Sequence, residues 1–533
     1  MIRVSNIKID IDDSIDLVKI KTYKKLKINE DDVISFNIYK ESIDARKKGI
    51  ISFVYTVDLE LKNEKKVLKF KPKDCIQLDS NKYEDVEMGN LEIKQRPVIV
   101  GSGPAGLFAT LLLAQRGYNP ILIERGMDVD TRSEDIENFW KSGKLNTKSN
   151  VQFGEGGAGT FSDGKLTTRM KDIRCEKVLS EFVKFGAPED ILYSHKPHVG
   201  TDILKDVVKN IRKEIIRLGG EVFFDSKLTS IDVKNGEISS IEINESKRID
   251  CQHLILAIGH SARDTYKMIY ECGAEMEQKP FAIGVRIEHP QEMINKSQYG
   301  KFYNHKRLGA ADYRLTAQTS NGRSVYTFCM CPGGMVIASA NSENELVTNG
   351  MSEHSRDKEN ANSGLLVNVE TKDFDSPHPL AGLEFQRKYE SLAFKKGGAN
   401  YNAPAQLVGN FLNGKPSEKA GSVTPSYRPG VKWCDISDCL PDFVIDSLKE
   451  GLVKLNGKLK GFSMGDAVMT GIETRSSAPV RIKRDRDTLE SVNIKNLFPC
   501  GEGAGYAGGI VTAAVDGIKC AEKIITKYSS EGR

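Results

Sequence analysis

Three glycines, Gly101, Gly103 and Gly106, punctuate the run Gly101-Ser-Gly-Pro-Ala-Gly106, directly after the apolar stretch Pro97–Val100 and directly before the helix-forming stretch Leu107–Arg116. Glycines at this spacing handle phosphate. The first permits a tight turn, the second lets a pyrophosphate approach the backbone, and the third lets helix and strand pack closely. Pro104 and Ala105 open a helix whose N-terminal N–H groups and dipole face the anion. Glu124 lies 18 residues beyond Gly106, at the end of a second strand, Pro120–Glu124, where a carboxylate accepts a hydrogen bond from a ribose hydroxyl, with Arg125 beside it. A bare G-x-G-x-x-G is weak evidence; strand, turn, helix and acid together predict a bound dinucleotide.

A second cluster predicts which one. The strand Leu497–Cys500 runs into Gly501-Glu502-Gly503-Ala504-Gly505-Tyr506-Ala507-Gly508-Gly509 and then a helix from Ile510 to about Lys527. In flavoproteins the equivalent strand end bears an acid beside the ribityl chain, and the next helix N-terminus supports the flavin pyrimidine when it gains charge. The cofactor expected is therefore FAD, with Gly501, Glu502, Gly508, Gly509 and Ile510 against it. Glu502 stands where Asp is commoner.

Further candidates surround these two. Gly154 to Gly164 holds five glycines, with Thr160, Ser162 and Asp163 between them; Gly157, Gly159 and Thr160 are expected to lay backbone against the flavin. Lys165 then either tunes an electron-rich ring edge or is solvated. Gly259 ends the buried strand Leu254–Ile258 at the cofactor, and His260 is either a proton donor or the cap of the following turn. Arg475, within Glu473-Thr-Arg-Ser-Ser477, either clamps a substrate carboxylate or forms an internal ion pair. Cys329 and Cys331 read better as packed strand residues than as a redox pair. The polar block Ser352–Asp357 either anchors substrate or is a solvated loop. Arg46, Lys47 and Lys48 near Tyr39 and Tyr55 read as a solvated face rather than a nucleic-acid site. His260, Lys165 and Arg475 are the catalytic candidates, and no metal site is expected.

The residues also carry a resemblance. The blocks Phe153-Gly-Glu-Gly-Gly-Ala-Gly-Thr-Phe-Ser-Asp-Gly-Lys165, Gly259-His-Ser-Ala-Arg-Asp-Thr265, Phe328-Cys-Met-Cys-Pro-Gly-Gly334, Gly350–Asn362, Gly471–Pro479 and Gly501-Glu-Gly503 resemble those of the uncharacterised FAD-dependent dehydrogenases. These are also called NAD(FAD)-utilising dehydrogenases and are distantly related to glutathione-reductase-type flavoproteins. The amino-terminal segment is similar as well, through Lys40–Lys47 and Val54–Val57. The resemblance covers nearly the whole chain and implies the fold and FAD. It fixes no substrate.

The elements that must position these residues follow from periodicity. An α/β class is expected, with a Rossmann-like FAD-binding domain over 95–272 and 456–533, an inserted α+β substrate-side domain over 273–455, and a small β-α-β-β module over 1–90. In the module, apolar alternation (Ile2, Val4, Ile7, Ile9) precedes a helix from Asp13/Ser14 to about Leu26 and strands at Val33–Tyr39 and Ile50–Leu61. The polar stretch Ser80–Arg96 reads as its linker. Leu204, Val207, Val208, Ile211, Ile215 and Leu218 keep a helical period before Gly219-Gly220. Asn235-Gly236 predicts a hairpin inside an antiparallel meander, the layout of an FAD domain rather than a simple NAD domain.

With 77 Lys/Arg against 73 Asp/Glu, the chain has no broad field for nucleic acid or anionic membrane; such a partner needs a local patch. Ten Cys without a C-x-x-C pair argue against zinc, iron–sulfur clusters and disulfides. The start has no secretory pattern and no apolar run approaches a membrane span, so a soluble cytoplasmic protein without a membrane partner is expected. The activity expected is hydride transfer between flavin N5 and a small organic substrate. No second strand-G-x-G-x-x-G-helix unit marks a built-in nicotinamide domain, which leaves the electron donor, transient NAD(P)H or another, open. An FAD-dependent RNA-modifying enzyme and a structural or sensory FAD protein remain alternatives.

Overall fold

The computed structural model describes residues 1–47, 49–70, 72–78 and 83–530. Its organising element is a five-stranded, wholly parallel sheet. The strands lie in the spatial order Leu497–Pro499, Leu254–Leu256, Val98–Val100, Ile121–Ile123, Glu221–Phe223. This is the doubly wound order, and it reverses between Val98–Val100 and Leu254–Leu256, so a crevice opens beyond the carboxyl ends of those two strands. Helix Pro104–Gln115 and helix Ile510–Ile525 meet so closely that a Cβ on Gly517 would strike the Ala105 backbone. Helix Thr201–Arg217 buries Leu204, Val207, Val208, Ile211 and Ile215, five of the six periodic residues read from the sequence, while Leu218 is its half-buried C-cap. The strands Leu228–Lys234, Glu237–Ile243 and Lys247–Asp250 form the expected meander, and Asn235 and Gly236 turn it at φ 51° and 77°. Two consecutive left-handed residues are what a tight hairpin turn needs.

The insert is built on a seven-stranded mixed sheet ordered Thr316–Gln318, Ser324–Cys331, Asn360–Val369, Phe281–Pro290, Val468–Glu473, Ala403–Leu407, Val431–Trp433. Val468–Glu473 pairs on both sides within this sheet. This corrects the boundary at 455: the insert reaches beyond it, and residues 456–473 are not part of the parallel half. Residues 456–467 lead into that strand, and Leu459 and Phe462 are buried in the insert's core.

The amino-terminal module has two more elements than the expected β-α-β-β. Ile2–Asp10, Asp16–Leu26, Val33–Asp44, Ser52–Leu61, Glu64–Lys69 and Cys75–Gln77 give β-α-β-β-α-β, with the sheet order third-strand-inside-second of a split βαβ. Short, Lys-rich Glu64–Lys69 has too few apolar positions to announce itself. The strand Val33–Asp44 is an edge extended by the parallel half: Glu41 N donates to Tyr193 O at 2.7 Å and His195 N to Glu41 O at 2.8 Å. The segment read as a linker is pinned where it is described. Leu91–Glu92 pairs with Tyr528–Ser529, and the Tyr83 hydroxyl donates to Glu522 at 3.0 Å. Ser80, Asn81, Lys82 and, in the basic cluster, Lys48 lie outside the described residues. Among the described residues no helix is long and apolar enough to cross a membrane.

Candidate functional site

The first wall of the crevice is the glycine turn. Gly101 adopts φ 97°, a left-handed conformation that suits glycine, and a Cβ there would also strike Ala257 O. Gly103 is different: the nearest atom to an added Cβ is Gly157 Cα at 3.9 Å. Its face is therefore open. Gly103 caps the helix that begins at Pro104, and no side chain caps its N-terminus, which leaves N–H donors free for an anion.

Glu124 has a different set of partners from the ribose hydroxyl expected. Its carboxylate accepts Ser102 N and Ser102 Oγ, both at 2.8 Å, on one oxygen, and Gly126 N at 2.9 Å and Gly154 N at 3.0 Å on the other. Four donors fill a carboxylate. Glu124 thus ties the phosphate turn to the glycine loop, and a ribose contact would have to displace one of these. Arg125 makes a two-pronged pair with Asp264 at 2.9 and 3.0 Å and lies 4.0 Å over the Phe153 ring. That pairing, with Lys227 as a second cation, outweighs the partial desolvation that acts the other way and holds the Asp264 carboxyl well below the usual carboxylate range.

The loop 154–164 owes its shape to a residue that motif reading misses. Arg132 is fully buried and donates to the carbonyls of Asn150, Val151, Gly154, Glu155 and Gly157 at 2.6–3.2 Å. Burial pushes its pKa down only to about 10, so it stays charged at neutral pH. A signal exists in the sequence: Val129, Ile136, Phe139 and Trp140 define the buried face of helix Val129–Ser142, and Arg132 sits on that face. A cation placed there by helical period must find acceptors, and a glycine loop of outward carbonyls supplies them. Gly157 then lies beside Gly103, and Gly159 beside Ile510 at 3.2 Å from an added Cβ. The buried Thr160 Oγ1 has no hydrogen-bond partner among the described residues.

The opposite wall is Gly501–Gly509. Gly501 turns at φ 75° and its N–H donates to Asp516 at 2.7 Å; Asp516 is also gripped by Arg484 at 2.7 and 3.0 Å. Cys500 and Cys520 bring their sulfurs within 4.8 Å of this carboxylate, but the guanidinium already occupies its oxygens. Gly508 and Gly509 are exposed, with nothing within 4 Å of a Cβ on Gly508, and Gly509 precedes helix Ile510–Ile525 without a capping side chain. Gly259, φ 67°, likewise faces open space. The Glu502 carbonyl accepts from Gly505 N at 2.9 Å, but its carboxyl makes no hydrogen bond or ion pair with a described residue. Burial pushes its carboxyl up to about 7, with Lys279 pulling the other way.

The insert closes the crevice from the third side with charges that are matched. Arg475 corrects its substrate-clamp reading. Its fork is spent on Glu390, Nε to Oε1 at 3.1 Å and Nη2 to Oε2 at 2.8 Å, while Nη1 donates to Asn341. Arg263 shares Glu390 at 2.8 Å and reaches Glu345 at 2.6 Å. The internal acid is thus a helix residue distant in sequence, not the neighbouring Glu473, which pairs with the buried Arg286. Lys165 is neither solvated nor free: Nζ donates to Met330 O, with Asp163 at 3.9 Å. The block Ser352–Asp357 is a latch, in place of either reading. Ser352 Oγ and the Arg356 fork both engage Asp163, Ser352 O receives Thr201 N at 3.0 Å, and the His354 ring stacks on His198 at 5.0 Å. Cys331 packs as expected, but Cys329, at φ 39°, is exposed. A bulge between Phe328 and Cys331 turns it out of the ladder, and the surrounding walls push its thiol up to about 12.

His260 is half-buried and its hydrogen bonds fix its tautomer. Gln152 Nε2 donates to Ser339 O at 3.4 Å, so Gln152 Oε1 accepts from Ser261 Oγ at 2.9 Å, and Ser261 Oγ accepts from His260 Nδ1 at 2.9 Å. Nε2 is left with its lone pair. Burial, and then the cations Arg475 and Arg263, push the imidazole down to about 3. This corrects the proton-donor reading: at neutral pH His260 accepts.

The residues fit a flavin dinucleotide on these observations: open glycine faces at 103, 259 and 508, uncapped helix starts at 104 and 510, and an unpaired carboxyl between them. The fold and site define an FAD-dependent protein. Residues 280–476 match the family model described as FAD-dependent protein, C-terminal domain-like, and residues 1–60 match a domain of unknown function. An uncharacterized protein of Clostridium beijerinckii is 56% identical over 529 residues, 99% of each chain. The chain belongs to the same family as that protein, and its cofactor is FAD. A digeranylgeranylglycerophospholipid reductase of Haloferax volcanii is 27% identical over 206 residues, 38% of this chain and 44% of the reductase. Among solved structures, CtdE in complex with FAD (TM-score 0.32, 11% identity, 82% of this chain and 84% of that one) and glycine oxidase from Bacillus cereus (0.31, 11%, 81% and 95%) are similar.

Proposed function

We propose that the protein is an FAD-dependent oxidoreductase, with a Rossmann-like cofactor half and a substrate cleft between that half and the insert. One observation carries this. The crevice at the strand switch point keeps its polar groups unpaired, Glu502 and His260 Nε2 above all, while the insert behind them is saturated. Unpaired polar groups in a partly buried cleft cost stability and are retained where a ligand completes them.

Gly103 and the start of helix Pro104–Gln115 would hold the pyrophosphate, the 157–160 segment would cover it, and Gly508–Ile510 would face the flavin ring. FAD, when bound, supplies two-electron hydride chemistry at N5. The chain supplies orientation and proton positions. Glu502 holds a proton below about pH 7 and releases it above. His260, with Nδ1–H fixed by the Ser261–Gln152 chain, offers Nε2 as an acceptor to an O–H or N–H of the substrate. Arg263 and Arg475 keep the imidazole neutral, and Arg475 also holds Asn341, whose Nδ2 donates to Ser261 O at 3.2 Å beside the ring. The reading favours a substrate that presents a donor, such as an alcohol or amine, over one that presents a carboxylate. The reductase named above, similar over 206 residues, agrees with an oxidoreductase and leaves its substrate class with that protein.

The test is anaerobic. Purified holoprotein is mixed with NADH, NADPH or dithionite and the flavin absorbance followed, then reoxidation is screened with carbonyl, imine and quinone acceptors. Reduction followed by acceptor-dependent reoxidation supports the reading. A flavin that accepts electrons from dithionite yet returns them to no acceptor, oxygen included, would point to a structural or sensory cofactor.

A further inference from the structure

The amino-terminal module is nearly neutral as a whole, yet its charges are segregated. Segments 16–27 and 62–73 together carry eleven Lys against two acids, whereas 28–61 carries seven acids against four basic residues. The two basic segments contain the module's two helices. Both helices cover the same face of the sheet, because Val18, Leu26 and Val67 enter one core with Ile2, Val4, Tyr55, Val57 and Leu59. Lys25 Nζ, at 3.1 Å from Asp74, ties the first helix to the turn that follows the second. The outer side of this layer is consequently one surface. Lys19, Lys24, Lys27, Lys65, Lys66 and Lys69 are exposed on it and pair with no acid among the described residues. Apolar side chains stand out between them: Phe70 is 74% exposed and Ile20 59%. Elsewhere the module meets the rest of the chain through the strand extension at Glu41 and through Arg307, which donates to Ile11 O at 2.9 Å.

We propose that this helix layer seats the protein on an anionic lipid bilayer surface. The chemistry favours that partner over nucleic acid. The cations are all lysines, which act as point charges and lack the planar fork that reads bases and phosphates bidentately. Apolar groups projecting among lysines are the pattern of an interfacial membrane contact, where the side chains enter the acyl boundary and the ammonium groups meet anionic headgroups. The sheet face that split-βαβ RNA readers use carries Arg3 bound to Asp58 instead, with Tyr39 stacked under the same guanidinium at 3.1 Å. Net charge predicts no such partner because the segregation cancels in the sum. The inference is independent of the redox chemistry.

The full-length holoprotein is floated with vesicles of phosphatidylglycerol and phosphatidylcholine, and with phosphatidylcholine vesicles alone, at low and high salt. Binding to the anionic vesicles at low salt, absent on the zwitterionic ones, is expected. Lys65→Gln/Lys66→Gln/Lys69→Gln should weaken it at least ten-fold, and Phe70→Ser should weaken it several-fold, most visibly where salt screens the charges. All are exposed positions, and unchanged flavin absorbance and melting temperature verify folding. Absence of flotation with anionic vesicles overturns the proposal. So does binding that ignores Phe70→Ser and is matched by a single-stranded RNA competed through the same lysines.

Discussion

The two walls of the crevice use the same kinds of residue to opposite ends. On the insert side, Arg475, Glu345 and Glu390 are buried, and with the half-buried Arg263 reaching in from the parallel half every charge has a partner within 3.1 Å. On the dinucleotide side, the Glu502 carboxyl has no partner among the described residues, and Gly103, Gly259 and Gly508 face space that a methyl would enter. A matched buried network contributes rigidity and shape. An unmatched one is completed only by something that arrives. The difference separates residues that hold the cleft from residues that hold its contents, and residue type alone does not make that separation.

The hardest test of the open wall is Gly103→Val. The branched side chain would fill the space beside Gly157 that the pyrophosphate needs, so the purified variant should carry almost no FAD, against about one per chain in the parent, with little loss of apoprotein stability. Flavin absorbance after heat release reads this out. A variant that retains full FAD breaks the comparison at its base.

On the matched wall, Glu390→Gln leaves the buried Arg475 guanidinium and the half-buried Arg263 sharing a neutral partner. Removing one member of such a cluster costs about 3–5 kcal/mol, and a clearly lower melting temperature with retained FAD is expected. Arg475→Lys should behave the same way but more mildly, because an ammonium preserves the charge and loses the fork. If Arg475→Lys instead abolished turnover at unchanged melting temperature, the wall would be a substrate site.

Acid sharpens the contrast within buried groups. His253 in the parallel half and His289 in the insert are both buried, and burial pushes each down to about 4. In the unfolded chain they titrate near about 6.5. Their neutral forms are the folded ones, so their contribution is complete above about pH 6.5 and is lost as pH falls toward 4. Each contributes up to about 1.4 kcal/mol per pH unit in that window. His289→Phe should lower the melting temperature at pH 7.5, through the lost bond to Phe462 O at 2.7 Å, and flatten the decline between pH 6.5 and 4.5. An unchanged slope would mean that His289 does not titrate with unfolding.

The parallel half was legible because its signals are local. Gly101, Gly103 and Gly106 act over six residues, the helix at Thr201 shows its period within one element, and Asn235-Gly236 names its own turn. The insert was not, since its sheet order joins strands from 281 to 473 and nothing in Val468–Glu473 states which sheet will receive it. Side-chain roles divide in the same way. Gly103 was readable from its neighbours, whereas Arg475 needed Glu390, 85 residues away, and Glu124 needed Gly154, 30 residues away. Lys165 and the Ser352–Asp357 block were misread for the same reason: Met330 and Asp163 reach them only through the fold. Arg132 lay within reach of periodicity, but its meaning depends on the carbonyls it gathers.

The smallest expected effect discriminates most finely between the walls, and it concerns Glu502. Its carboxyl is pushed up to about 7 by burial, whereas Asp264, paired with Arg125 and Lys227, is held well below the usual carboxylate range. Glu502 is therefore neutral and able to donate below pH 7, and anionic and able only to accept above it. A flavin ligand that hydrogen-bonds there will feel the change. FAD affinity, measured by fluorescence quenching between pH 5.5 and 8.5, should show one inflection near 7, and the step should be a few-fold, as expected for a single hydrogen bond changing character at about 1 kcal/mol. Glu502→Gln should remove the inflection while keeping most of the affinity, since the amide can both donate and accept. Asp264→Asn should leave the inflection in place, because its parent carboxyl does not titrate in this range. Two results would dissolve the contrast: the same inflection surviving in Glu502→Gln, or a profile in which Asp264→Asn and Glu502→Gln behave alike. Either would show that the unpaired carboxyl does not meet the cofactor, and that openness on this wall has another cause.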